Sequence, residues 1–288
     1  MRRLFYFMVQ VDLENLRTIK QKERLMQKGF IFIIVLLGFV SFISSAFALE
    51  IGGKEVEIIL SDTYVTRYIW RGQDLFGDND GAHQPSIDIT FPKLFYDTDL
   101  SLNLWGSFPL SDGHEDAEEL DFTVTFSRDI LDEIFNISLG STYYAYPNTV
   151  NTANISEPWG ALTLNKIPFL PIDVSATVFA GYDFEAHHGG ADEGWYYSWS
   201  LDTEIPLSRL AFSQKDQKLD IGVINWGNDG VADLKPSTLY ATEVYLLTAY
   251  TLNNFNFVPS VHYVISHEDE INNGDNEVWF SLSMGYTF

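Results

Sequence analysis

The chain ends in Glu277-Val-Trp-Phe-Ser-Leu-Ser-Met-Gly-Tyr-Thr-Phe288, in which every second residue from Val278 to Phe288 is apolar. Successive side chains of a β-strand point to opposite faces. The segment therefore has one apolar face and one face that carries Glu277 and several small or polar residues. This pattern predicts a long strand that separates an apolar environment from a polar one.

The same alternation recurs along the chain and predicts an all-β fold. A transmembrane antiparallel β-barrel of about twelve strands accounts for it, because a closed barrel leaves no unpaired strand edge in lipid. Residues 207–217 are long for a turn, so ten or fourteen strands remain alternatives. The twelve strand-like segments are 56–72, 84–94, 100–108, 120–127, 135–146, 155–166, 172–185, 195–205, 219–226, 239–252, 255–265 and 277–288.

A soluble β-sandwich would also give regular alternation, with its apolar faces turned inward. Two features favour the barrel. Many of the segments have ten or more residues, whereas strands of soluble proteins usually have about five or six. The aromatic C-terminal residue, Phe288, is typical of the last strand of a bacterial outer-membrane barrel.

The N-terminal region has the features of an export signal. Residues 30–42 are apolar, Lys28 precedes them, and Ala46-Phe-Ala48 offers a small-x-small cleavage site. The apolar run is shorter than the roughly 18–20 residues that span a bilayer. We therefore predict that residues 1–48 are an N-terminal extension with a cleaved signal peptide and that 49–288 form the barrel. Met26 is a second candidate for the start of translation.

Charge limits the function of the mature chain. Seven of the 17 Lys and Arg and three of the 40 Asp and Glu precede residue 49, which leaves ten basic and 37 acidic groups and a net charge of −27. Such a chain repels nucleic acid phosphates and attracts cations. It has no cysteine, so disulfides and thiolate metal sites are absent. No motif in the sequence implies a cofactor.

Charged residues occupy the polar phase of several segments and are candidate pore-lining residues. They predict a passive, cation-preferring channel for small solutes in which two arginines of one strand, about 13 Å apart, face acidic walls. A twelve-stranded barrel could equally be filled by its side chains, so a non-conducting structural or adhesive barrel is the alternative. The candidate residues are Arg67, Arg71, Asp88, Asp121, Asp173, Asp183, Asp202, Glu204 and Glu243.

The segment Ser61-Asp-Thr-Tyr-Val-Thr-Arg-Tyr-Ile-Trp-Arg-Gly72 resembles the start of the TorF-like porin family of bacterial outer-membrane proteins. The resemblance covers about a dozen residues together with the general character of the barrel. It implies a channel-like barrel in the outer membrane and no particular substrate. The partners expected are membrane lipid, small solutes or cations, and the barrel-assembly machinery, which would bind the strand that ends at Phe288.

Two further groups of residues have side chains of the types used in catalysis or metal binding. Some twelve-stranded outer-membrane barrels are phospholipases, and Ser260 and His262 offer a serine and a base on one face of a strand. Their spacing of about 7 Å along the strand is too long for a direct hydrogen bond, so no catalytic residue is predicted. His187 and His188 lie beside carboxylates but next to two glycines, and are expected to be solvated rather than metal-bound.

Aromatic residues in the apolar phase are interpreted as the interfacial girdles of a membrane barrel. Among them are Tyr68, Trp70, Trp195, Trp199 and Tyr240.

Overall fold

A computed structural model describes residues 49–51, 54–77, 80–114, 117–148, 154–167, 170, 172–185, 193–207, 217–231 and 234–288. The side chains of 49–51, 54 and 185 are outside this description. So are residues 1–48, and the signal peptide and its cleavage site stay predictions. Among the described residues, no helix is long and apolar enough to cross a membrane.

Within the described part of the chain, twelve long strands form a closed antiparallel barrel. Each pairs with its neighbours in sequence, and the last pairs with the first, for example Leu282 with Tyr64. The prediction of twelve strands is confirmed. The strands are β1 (Lys54–Val65), β2 (Ala82–Phe95), β3 (Thr98–Pro109), β4 (Glu119–Ile130), β5 (Phe135–Ala145), β6 (Ile155–Leu164), β7 (Val174–Glu185), β8 (Gly194–Pro206), β9 (Lys218–Asn228), β10 (Ser237–Thr248), β11 (Phe255–Ser266) and β12 (Glu277–Thr287).

Short elements extend this frame. The strand Leu49–Ile51 folds back on the start of β1, and Tyr250–Leu252 continues β10 along β11. A short 3-10 helix, Asn272–Gly274, lies between β11 and β12. The strands Ile69–Trp70 and Gln73–Asp74 form a small hairpin between β1 and β2.

The two ends of the barrel differ. Both termini of the barrel and the shortest connections, 96–97 and 131–134, lie at one end, which we name the inner end. The connections 66–81, 110–118 and 267–276 lie at the other, the outer end. Two inner connections, 165–173 and 207–217, are at least as long as the outer connection 110–118.

The alternating apolar and polar side chains of each strand lie on the outer and inner faces of the barrel. On β12, Val278, Phe280, Leu282 and Met284 point outward and are 39–53% exposed, while the residues between them point inward. A soluble protein buries such side chains, whereas a membrane barrel presents them to lipid. The structure is therefore a transmembrane β-barrel with a polar interior.

Candidate functional site

The first predicted segment is not one continuous strand. β1 ends at Val65, and residues 66–77, here named the inward hairpin, turn into the barrel. Arg71 and Gly72 form its tip with φ values of 49° and 83°. Two successive positive φ values are typical of a type I′ turn, in which glycine fits without strain. The prediction that Arg67 and Arg71 share one face of a single strand is therefore wrong.

The inward hairpin reaches inward-facing side chains on alternate strands around the barrel. Each of the following contacts joins one hairpin residue to a different part of the wall. They are Tyr68 to Glu119 on β4, Arg71 to Glu157 on β6, Trp70 to Tyr196 on β8, Gly72 towards Ala241 on β10, and Arg67 to Glu277 on β12. The hairpin thus lies across the interior near the outer end.

The contact between Arg71 and Glu157 is enclosed on several sides. Nη2 of Arg71 lies 2.7 and 2.6 Å from the two carboxylate oxygens of Glu157. The ring centres of Trp70 and Tyr196 are 4.3 and 4.5 Å from the guanidinium carbon. The carboxylate of Glu157 fits over Gly181, where an added Cβ would come within 2.7 Å of it. Sequence reasoning missed Glu157, although it has the inward phase of its strand.

Polar contacts and ring packing hold the rest of the inward hairpin. The hydroxyl of Tyr68 donates to Oε2 of Glu119 at 2.5 Å, and its ring packs on Phe76 and Trp105. Asn272, on the connection between β11 and β12, accepts from the amide of Asp74 at 2.7 Å and donates to the carbonyl of Gly72 at 2.9 Å.

Three of the aromatic residues predicted to face lipid lie inside instead. Tyr68 is 4% exposed, and Trp70 packs against Tyr144 and Tyr196 within the barrel. Tyr240 is 1% exposed because the register between β9 and β10 shifts beyond Trp226, which buries it together with the next residue. Trp195 and Trp199 remain about half exposed on the outside, as the girdle interpretation requires.

The described residues line more than one space in the interior. A cavity of about 310 Å³ lies against the inward hairpin and is lined by Tyr68, Trp70, Asp121 and Trp279 among others. A second space of about 370 Å³, here named the inner vestibule, lies at the inner end. Its acidic lining residues are Asp173, Asp202, Glu204 and Asp220.

The predicted pore-lining residues fall into separate groups. Arg67 and Arg71 belong to the inward hairpin, and Asp121 to the cavity below it. Asp173, Asp202 and Glu204 surround the inner vestibule. The other three lie on the inward phase of their strands: Asp88 accepts from Ser86 and Asn103, Asp183 is 4% exposed, and Glu243 contacts His262. Whether any of them lines an open pore stays a prediction.

The geometric argument against Ser260 and His262 is wrong. Oγ of Ser260 lies 2.6 Å from Nε2 of His262, because the imidazole extends along the strand and spans the distance between the two backbone positions. His187 and His188 lie outside the described residues. In the described part of the chain, no group of three or more His, Asp or Glu side chains could hold a metal ion.

No protein-family model matches the chain, and no curated protein matches it. Several solved structures are similar in fold. The NanC porin shares 11% identity at a TM-score of 0.47, with 80% of this chain and 98% of that chain covered. The KdgM porin shares 11% at 0.46, covering 80% and 99%. LpxR from Salmonella typhimurium shares 13% at 0.48, covering 80% and 100%.

Proposed function

We propose that this chain is a bacterial outer-membrane channel for small solutes with a preference for cations, whose outer end the inward hairpin closes. The acidic inner vestibule carries the proposal. Lys166 and Lys218 pair with Asp173 and Glu204 at its rim. Asp202 and Asp220 have no ion pair among the described residues, so a net negative field remains where a solute would enter.

The proposed outer-membrane location is supported by the barrel itself together with the predicted export signal. Its outside is apolar, its inside is polar, and its strands close without a free edge. Those are the requirements for a β-structure in lipid. Membership of the TorF-like porin family is part of the same proposal and is supported by the segment 61–72, which includes the tip of the inward hairpin.

Conduction requires the inward hairpin to be displaced, because it contacts the wall on five strands. A non-conducting barrel is the second candidate, and those same contacts favour it. The two differ in what happens when the hairpin is removed. If the barrel is a channel, removing the hairpin opens a route for ions along the acidic interior. If it is a filled scaffold, side chains elsewhere along the barrel axis keep the interior closed.

Planar-bilayer recordings of refolded protein test this difference. The variant replaces residues 68–76 by a Gly-Ser linker of the same length. We expect rare openings from the unaltered chain, and steady steps from the variant with a reversal potential that shows cation preference. Silence from a variant that is shown to be folded by heat-dependent gel mobility would contradict the channel and leave the scaffold.

The source of the cation preference is tested in the variant that lacks residues 68–76. Asp202→Asn combined with Asp220→Asn should reduce the cation preference, because both carboxylates line the inner vestibule. Asp97→Asn is the matched control, since Asp97 is an exposed acid in the turn between β2 and β3 and does not line that space. An equal shift of the reversal potential in both variants would remove the vestibule from the explanation.

A further inference from the structure

Three inward-facing side chains on β10 and β11 form a continuous hydrogen-bonded chain. Oγ of Ser260 lies 2.6 Å from Nε2 of His262, and Nδ1 of that imidazole lies 2.7 Å from Oε1 of Glu243. A carboxylate thus holds one nitrogen of an imidazole while the other nitrogen faces a serine hydroxyl. This order of groups activates a serine for nucleophilic attack, and it is recognised by geometry rather than by sequence position.

The strand register produces this arrangement. Ser260 and His262 are two residues apart on β11 and share its inward face. On β10, Glu243 pairs with Val264 and Tyr245 pairs with His262, which makes Glu243 the diagonal neighbour of the imidazole. Diagonal neighbours in an antiparallel pair are within reach of long side chains.

Aromatic rings hold the imidazole in place. Trp279, the partner of His262 on β12, stacks on it with ring centres 3.6 Å apart and an interplanar angle of 14°. On the other side, the ring of Tyr245 lies 5.8 Å away. The side chains of His262 and Glu243 are 13% and 11% exposed, so this hydrogen-bonded pair is shielded but still open to the interior. A fixed base next to its serine is what proton transfer in catalysis requires.

Hydrogen-bond donors are also present beside the serine. Ser281, the partner of Ser260 on β12, has its Oγ 2.6 Å from Oγ of Ser260. Nε1 of Trp279 is buried and has no hydrogen-bond partner among the described residues. The hydroxyl of Ser281, next to Oγ of Ser260, can stabilise negative charge that develops on a carbonyl oxygen.

The cluster lies between two cavities of the barrel. Trp279, which stacks on His262, lines the cavity of about 310 Å³ below the inward hairpin. Tyr245, which lies on the other side of His262, lines the inner vestibule of about 370 Å³. A small molecule that enters the inner vestibule thus comes to Tyr245, next to His262, without passing the inward hairpin, and the acidic lining repels anions.

We propose that Ser260, His262 and Glu243 form a hydrolytic site for small carboxylic esters that are neutral or cationic. Oγ of Ser260 attacks the ester carbonyl carbon while its proton passes to Nε2 of His262. The bond between that carbon and the alcohol oxygen breaks, and the alcohol leaves with the proton from His262. Water then attacks the acyl-serine and gives a proton to Nε2, and the proton returns to Ser260 as the carboxylic acid departs.

Covalent labelling of the folded full barrel in detergent tests this proposal directly. The probe is a small uncharged fluorophosphonate, followed by intact mass and peptide mapping. We expect one label on Ser260, and hydrolysis of p-nitrophenyl acetate with an initial burst of one nitrophenol per chain. His262→Asn should slow labelling by roughly 10²- to 10⁴-fold, Ser260→Ala should abolish it, and Glu243→Gln should slow it while leaving Ser260 as the labelled residue.

Ser283→Ala is the matched control, because Ser283 faces inward on β12 but is not one of the groups in the hydrogen-bonded chain. It should label at the unaltered rate. If a variant fails to fold, labelling of the unaltered protein still tests the proposal. Absence of label from the folded chain, or label spread equally over Ser260 and Ser283, would overturn the proposal and leave a structural hydrogen-bond network. The readout does not depend on conductance, so it stands apart from the channel proposal.

Discussion

Arg71 and Glu157 are 86 residues apart in sequence, and their side chains meet inside the barrel with Nη2 2.6 to 2.7 Å from both carboxylate oxygens. The two side chains are 8% and 1% exposed. The guanidinium has the carboxylate in front of it and aromatic rings on its faces, and either charge would be costly to leave buried alone. The pair therefore fixes the tip of the inward hairpin to β6.

The first prediction concerns this pair. Arg71→Met should lower the free energy of unfolding by roughly 3–5 kcal/mol, because it leaves the Glu157 carboxylate buried without a counter-charge. Arg71→Met combined with Glu157→Gln should recover much of that loss. Urea unfolding of the refolded barrel in vesicles, followed by tryptophan fluorescence, measures both.

Lys166→Ala is the control for this prediction, since Lys166 and Asp173 form an ion pair in which both side chains are more than 60% exposed. We expect a loss below about 1 kcal/mol there. If the Arg71 and Lys166 variants lost equal stability, the buried pair would not fix the inward hairpin.

The second prediction uses two glycines of the same conformation. Gly72 and Gly77 have φ values of 83° and 74°, so alanine is strained at both. At Gly72 an added Cβ would lie 2.5 Å from Cβ of Ala241, whereas at Gly77 nothing lies within 4 Å. Gly72→Ala should therefore cost about 1–3 kcal/mol more than Gly77→Ala in the same unfolding assay.

Ala241→Gly removes the atom that Gly72→Ala would meet. The double variant should return to the stability of Gly77→Ala, after correction for Ala241→Gly alone. Independent, additive effects of the two substitutions would show that the tip of the inward hairpin does not lie against β10.

The third prediction concerns the hydroxyl of Tyr68. Tyr68→Phe removes one hydrogen-bond donor to Glu119, a residue that is 2% exposed, and should cost about 1–3 kcal/mol because a buried carboxylate loses that hydrogen bond. Tyr250→Phe, at an exposed ring near the inner end, should change stability by less than about 0.5 kcal/mol. Equal effects in thermal unfolding would argue that the Tyr68 hydroxyl is not needed.

The barrel could be predicted from the sequence because one simple rule, side chains of alternate polarity on opposite faces, acts along each strand independently. The segment from Val278 to Met284 shows it without a break, and the structure places each of those residues on the predicted face. Even β9, a short and irregular segment in the sequence, forms as expected. Strand pairing then follows from chain order alone.

The inward hairpin could not be predicted in this way. Alternation of apolar and polar residues continues through Tyr68 and Trp70, so the pattern carries no sign that the strand ends at Val65. A local signal exists at the tip, where Gly72 follows Arg71 in the positions of a type I′ turn. The partners of these residues lie on other strands and depend on barrel closure.

The prediction that Ser260 and His262 are too far apart for a hydrogen bond was wrong for a different reason. Backbone spacing along a strand measures where side chains begin, and it says little about where long ones end. The imidazole reaches back to the hydroxyl, and the carboxylate of Glu243 comes from the next strand. Only the register between β10 and β11 brings that third group into place.

The last prediction concerns the hydrogen bonds by which Asn272 holds the inward hairpin. Asn272 and Asn273 have φ values of 51° and 56°, so alanine would be under similar backbone strain at each position. Asn272→Ala also loses the hydrogen bonds to the amide of Asp74 and the carbonyl of Gly72. It should therefore be less stable than Asn273→Ala by about 1–3 kcal/mol.

The same pair of variants reports on the hairpin directly. Amide hydrogen exchange of Asp74 should become faster in Asn272→Ala and stay unchanged in Asn273→Ala, because the acceptor of that amide is the Asn272 side chain. Equal exchange of Asp74 in the two variants would mean that the side chain of Asn272 does not control the inward hairpin.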